Sequence, residues 1–83
     1  MLKEMTLQNP IQERLDILLK KIKTTRIKKE ITQYEMSERL NISQNSYYKI
    51  EKGKTKLDIY RLLQISYILE FNFAELIEVS FSD

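Results

Sequence analysis

The start of a helix is written four times along this chain in one short grammar. An apolar residue is followed by a residue whose side chain can cap, then by three helical positions, then by a second apolar residue. Ile31-Thr32-Gln33-Tyr34-Glu35-Met36 is the fullest instance, with Thr32 and Glu35 as a capping box and Ile31 stapled to Met36. Phe71-Asn72-Phe73-Ala74-Glu75-Leu76 repeats it, with Asn72 as cap and Phe71 against Leu76. Ile42-Ser43 and Leu57-Asp58, stapled to Tyr47 and Leu62, are weaker starts without the acidic third residue. Starts this close together leave room only for short helices joined by tight turns. A chain of 83 residues also buries only one core, and a single Gly and a single Pro are too little punctuation for a strand-rich fold. The expected class is all-α.

Periodicity and capping set the boundaries. Asn9 followed by Pro10 reads as an N-cap and a first helical position, and Ile11, Leu15, Leu18, Leu19 and Ile22 continue at three- and four-residue spacing. Helix 1 is therefore expected over about 10–28, roughly 28 Å long and more than the domain's own core requires. Residues 1–9 are left as an N-terminal segment without assigned structure, and 10–83 as one domain. Helix 2 is expected over 33–40, with Met36 and Leu40 as an apolar pair and Asn41 taking the left-handed conformation that ends a helix. The next cap, Ser43, comes three residues after Leu40, so two short helices must cross steeply in helix-turn-helix geometry. Helix 3 (about 44–52) stops before Gly53. Helix 4 (59–69) is expected to turn Ile59, Leu62, Ile65, Ser66 and Leu69 inward, and helix 5 (73–79) closes the domain.

The chain has no Cys and no His, which removes thiol and imidazole chemistry and the usual ligands of structural zinc. No glycine-rich phosphate loop or nucleophile-base constellation accompanies the remaining Asp, Glu, Lys and Tyr, so no enzyme and no cofactor is expected. Glu4, Glu13 and Asp16 interrupt the N-terminal region, and no apolar run approaches a membrane span, so a soluble cytoplasmic protein is expected. The net charge of +2 is unevenly laid out: −1 over residues 1–19, +7 over 20–61 and −4 over 62–83. A basic middle between acidic ends points to one face made for a polyanion.

At about 100° per residue, helix 3 gathers Ser46, Tyr47 and Ile50 on one side and Gln44, Asn45, Tyr48, Lys49 and Lys52 on the other. The second arc carries the side chains that read base edges. Gln and Asn can bond adenine in bidentate fashion, Lys reaches guanine acceptors, and a Tyr ring can meet a thymine methyl. Lys52, Lys54, Lys56, Lys28, Lys29 and the helix 2 opener Gln33 surround it as candidates for phosphates. Lys20, Lys21 and Lys23 read as solvated charges. Arg26 continues the inward stripe of helix 1, where a charge needs a carboxylate, and Glu51, beside Ile50 on helix 3, is the best candidate.

Gln33, Leu40, Ile42-Ser43, Ile50-Glu51-Lys52-Gly53 and Leu69 together resemble the Cro/C1-type, or XRE-type, helix-turn-helix family of phage repressors and bacterial regulators, over about Ile22 to Ile77. The resemblance implies a compact five-helix, lambda-repressor-like DNA-binding domain, here with helix 1 extended at its N-terminus. It implies an Arg26–Glu51 structural ion pair, Gln33 opening helix 2 against a phosphate, and Gln44, Asn45 and Lys49 at base-reading positions beside Tyr48. Ser43 and Lys52 fall on phosphate positions. Ser37, Asn41 and Leu57 stand where the family often has Ala, Gly and Pro, and Tyr47 where an aliphatic is usual, which asks for a roomier core.

The function expected is a sequence-specific double-stranded DNA-binding transcriptional regulator that reads the major groove with helix 3. A homodimer through helix 5 or the helix 1 extension would read two half-sites. The alternative is a protein-interaction module, or an antitoxin-like partner-binding protein, on the same fold, with Phe71, Phe73, Val79 and Phe81 as apolar surface for an unknown protein partner.

Overall fold

The computed structural model describes residues 8–81, so the expectation for the N-terminal segment lies outside the described residues except at Gln8 and Asn9. It contains five helices and, among the described residues, no strand: α1 (Gln8–Lys28), α2 (Gln33–Leu40), α3 (Gln44–Glu51), α4 (Ile59–Leu69) and α5 (Phe73–Phe81). The chain is all-α, as its punctuation requires.

Each later helix opens on its own cap. The Thr32 hydroxyl accepts from the Glu35 amide at 3.0 Å while the Glu35 carboxylate accepts from the Thr32 amide at 2.8 Å, completing the capping box of α2. Ser43 accepts from Ser46 N at 3.0 Å, Asp58 from Arg61 N at 2.8 Å and Asn72 from Glu75 N at 3.2 Å. Asn9 is a correction: α1 already includes it, so it does not cap. A proline fits the first turn of such a helix because its missing N–H has no carbonyl to meet there. The other end of the chain also runs further than expected, with α5 reaching Phe81 rather than 79.

The first four helices end on the same paired backbone bonds. Ile31 N donates to Arg26 O and Glu30 N to Ile27 O, and Ile42/Asn41, Lys54/Gly53 and Phe71/Glu70 repeat the arrangement after α2, α3 and α4. The pivots are left-handed, at φ 61° for Glu30, 59° for Asn41, 73° for Gly53 and 62° for Glu70. At Gly53 a Cβ would also approach Leu19 Cδ1 to 3.3 Å, so both the turn and the neighbouring helix favour glycine.

The core is drawn from all five helices: Leu18, Leu19 and Ile22 of α1, Met36 and Leu40 of α2, Tyr47 and Ile50 of α3, Leu62, Ile65 and Leu69 of α4, and Leu76 of α5. Helices α2 and α3 pack on each other, α1 lies against α3, α4 and α5, and α4 meets α2. Arg61 ties the last two by donating to the Leu40 carbonyl at 3.3 Å. Two side chains expected inward, Ser46 and Ile59, are not, and the periodic run of helix 1 starts outside the core. Ser46, in the first turn of α3, is exposed because its neighbour Tyr47 takes the core position. Ile59, in the first turn of α4, projects beyond the core that Leu62 begins. Ile11 is exposed on α1 ahead of the first core residues, Leu18 and Leu19.

Candidate nucleic-acid interface

The turn between α2 and α3 is only Asn41, Ile42 and Ser43, and Ile42 packs on the core while Ser43 begins the next helix. That short link fixes which side of α3 is covered. Tyr47, Ile50 and Glu51 are buried, and Gln44, Asn45, Tyr48 and Lys49 remain exposed. Gln33, from the first turn of α2, joins Gln44, Asn45 and Tyr48 along one shallow concavity. Three amides are thus gathered at the N-terminal ends of two helices, where free backbone N–H groups carry partial positive charge, with the Tyr48 phenol one turn further along α3.

Basic groups flank this arc on two sides. Lys49 and Lys56 border a second shallow depression with Ser46 and Arg61. Lys52, whose ammonium lies 5.8 Å from the centre of the Tyr48 ring, borders a third with Lys20 and Lys23 of α1. A cation over that ring holds the phenol's orientation and keeps the charge beside it. Lys54 is exposed just after α3, on the turn closed by its own amide bond to Lys49 O at 2.8 Å. Ser43 caps α3 and also donates from its hydroxyl to Ser46 Oγ at 2.9 Å. Lys28 stands in a different groove, between α1 and α5, where Glu70, Glu75 and Glu78 face Lys21 and Lys29. Lys20 and Lys23 read as solvated charges in the sequence, and only the crossing of α1 behind α3, invisible to local pattern, sets them beside Lys52.

Beneath the arc, one carboxylate ties three helices. Glu51 Oε2 accepts from Arg26 Nε at 2.6 Å and from the Tyr47 hydroxyl at 2.6 Å. Its Oε1 accepts from Arg26 Nη2 and Gln33 Nε2, each at 3.1 Å. The remaining Arg26 amino group donates to the Ile31 carbonyl at 2.8 Å, holding the α1–α2 turn. Burial disfavours the charge on Glu51, yet the hydrogen bonds from Arg26, Tyr47 and Gln33 and the attraction of the guanidinium outweigh it and hold the carboxyl below its ordinary range. For Arg26, burial is likewise outweighed by Glu51, and its affinity for the proton rises. Burial, then the bond to Glu51 and its negative charge, push the Tyr47 phenol well above the usual tyrosine range, so it stays a neutral donor.

Two parts of this hub were not legible as chemistry in the sequence. Tyr47 reads as bulk, although it donates its hydroxyl to the ion pair. Gln33 reads as the opener of helix 2 and a phosphate candidate, but not as a member of the hub, although its amide nitrogen donates to Glu51 while the residue also lines the concavity. At the far end of the molecule, Phe71 and Phe73 pack against the core, while Val79 and Phe81 are more exposed and Phe81 has the Arg14 guanidinium 5.7 Å from its ring centre. Among the described residues, no helix is long and apolar enough to cross a membrane.

A family model described as helix-turn-helix matches residues 22–80, the stretch from the last third of α1 through most of α5. No curated protein and no solved structure was found to match the chain.

Proposed function

The chain belongs to the Cro/C1-type helix-turn-helix family of DNA-binding proteins, and from that premise we propose that it is a sequence-specific transcriptional regulator that reads the DNA major groove with α3. Gln44, Asn45, Tyr48 and Lys49 meet base edges. Gln33, Ser43, Lys52, Lys54 and Lys56 meet phosphates, and Lys20 and Lys23 extend that basic surface along α1. The observation that carries the reading is the shared concavity of Gln33 with Gln44, Asn45 and Tyr48. It sets an α2 helix end suited to a phosphate beside α3 side chains suited to adenine and guanine, so one docking event engages both. The bond from Gln33 to Glu51 supports this, because a donor anchored to a buried ion pair is already positioned when a phosphate arrives. Regulation follows from occupying an operator, by two copies of the chain on two half-sites about 34 Å apart.

The test is selection from a random duplex pool at about 150 mM salt, with the wild type beside a Gln44→Ala, Asn45→Ala, Lys49→Ala variant. A two-fold consensus that the variant loses supports groove reading by α3. A folded wild type that enriches nothing overturns it. Removing Lys52 and Lys54 should instead weaken binding to every sequence alike and reduce the logarithmic salt slope by about 0.9 for each phosphate no longer neutralised.

A further inference from the structure

Helix α4 is apolar on nearly every side. Leu62, Ile65 and Leu69 face the core, yet Tyr60, Leu63 and Tyr67 stand 69%, 48% and 86% exposed on another face, and Ile59, at the outer end of the core stripe, is 61% exposed. The only charged residue of the helix, Arg61, is turned toward the Leu40 carbonyl and Gln64. A helix that is hydrophobic all round is ordinarily buried all round. Tyr60, Leu63 and Tyr67 share one shallow groove with Gln64, Ile68 and, across from them, Arg39 of α2. None of these groups belongs to the α3 arc or its basic flanks.

We propose that this face of α4 is where a second copy of the chain docks. Area is the first argument. With about 200 Å² for a whole aromatic side chain and somewhat less for leucine, the exposed parts of Tyr60, Leu63 and Tyr67, together with Arg39 across the groove, offer on the order of 500 Å² per copy, within what monomers leave in one patch. Covered by its own counterpart, the patch removes about 1,000 Å² from water in all, the size of a weak, reversible interface. Self-complementarity is the second. The patch contains tyrosine rings and one guanidinium with no carboxylate, so a two-fold arrangement lets Arg39 of each copy lie over a tyrosine of the other. A polyanion finds a single positive charge there, whereas a second copy finds both halves of a matched pair. The assignment rests on the two-copy reading above and moves the interface from the ends of α1 and α5 to α4, where it leaves α3 uncovered.

The test is sedimentation of the full chain without DNA between about 5 and 500 μM, the span in which an interface of this size associates. Wild type should pass from monomer to dimer. Leu63→Lys and Leu63→Glu should each weaken the dimer at least about a hundredfold, because an isologous contact sets like charges against each other in an apolar surface. Mixed together, the two variants should dimerise again. Tyr67→Lys, at the most exposed position of the helix, provides a second variant should substitution at Leu63 disturb the fold. A wild type that stays monomeric overturns this interface, and the two-copy operator reading is tested separately by whether the selected DNA consensus is two-fold. A dimer that survives all three substitutions overturns the α4 assignment alone, as does a mixture that remains monomeric, while DNA selection still reports separately on α3.

Discussion

Replacing Glu51 with Leu should be the most damaging single change in the molecule, and two further changes should repair it. The substitution leaves the Arg26 guanidinium, whose side chain is 8% exposed, without a carboxylate, which costs about 3–5 kcal/mol. A domain of 83 residues has about 4–12 kcal/mol in total, so the variant loses a large share of its stability, and at the lower end of that range keeps no cooperative unfolding. Arg26→Met with Glu51→Leu removes the orphaned charge and should recover most of the loss. What remains is the fully buried Tyr47 hydroxyl without an acceptor, about 1–3 kcal/mol, and the missing bond to the Ile31 carbonyl, about 1 kcal/mol. Adding Tyr47→Phe removes the first of these and should leave the triple variant within about 1.5 kcal/mol of wild type. Urea denaturation followed by helical circular dichroism measures all four proteins. A Glu51→Leu protein that loses less than about 1 kcal/mol, or a triple variant no better than the single, would refute the account of a desolvated pair held by mutual satisfaction.

Glu30 and Glu70 hold left-handed conformations that cost a non-glycine residue about 1–2 kcal/mol, so Glu30→Gly and Glu70→Gly should each raise stability by about 0.5–1 kcal/mol after the flexibility of glycine is counted. Glu70 also loses an exposed pair with Lys29 of small worth, so Glu30 is the cleaner site, and unchanged urea midpoints at both would show that these turns are not strained. The Ser66 hydroxyl is buried with no described hydrogen-bond partner, and Ser66→Ala should stabilise by about 1 kcal/mol, read as a higher midpoint. Because the Glu51 carboxyl titrates lower in the folded chain than its ordinary value of 4.5, its contribution is present above that pH and is lost as pH falls through the folded value. Wild type should therefore lose stability on acidification more steeply than Glu51→Gln, and parallel pH profiles would exclude Glu51 as the source.

What was legible in the sequence is what local chemistry decides. The caps Thr32, Ser43, Asp58 and Asn72 could be read because a side-chain oxygen three residues from an amide needs nothing else to form its bond. Asn41 and Gly53 could be read as helix ends because those residue types favour the left-handed region. Glu30 and Glu70 could not, because glutamate has no such preference. Paired backbone bonds, with Ile31 and Phe71 following onto the core, impose the conformation there. The α3 arc could be read from angular spacing, whereas its neighbours Lys20 and Lys23 come from a helix more than twenty residues earlier. The outer face of α4 was hidden for a different reason. Ile59, Leu62, Ile65 and Leu69 make so regular a stripe that Ile59 is assigned to the core, and nothing local in the sequence tells that the fold leaves Tyr60 and Tyr67 uncovered beside Leu63.

The Glu51 hub also determines how variants of this protein must be interpreted. Arg26, Gln33, Tyr47 and Glu51 connect α1, α2 and α3 through one carboxylate, and Gln33 belongs at once to that hub and to the candidate interface. A change at Arg26, Tyr47 or Glu51 therefore shifts α3 relative to α2, and it should weaken contacts to DNA although none of the three side chains reaches it. Loss of binding in such a variant is no evidence of a contact. Gln44, Asn45 and Lys49 lie outside the hub and are exposed, so their removal should leave the unfolding midpoint within about 0.5 kcal/mol of wild type while changing which sequences are bound. Gln33→Ala separates the two roles. Its partner carboxylate keeps three donors, two on Arg26 and one on Tyr47, so the cost to stability should be about 1 kcal/mol or less. A loss of affinity well beyond that, uniform across sequences, is then attributable to the phosphate contact itself.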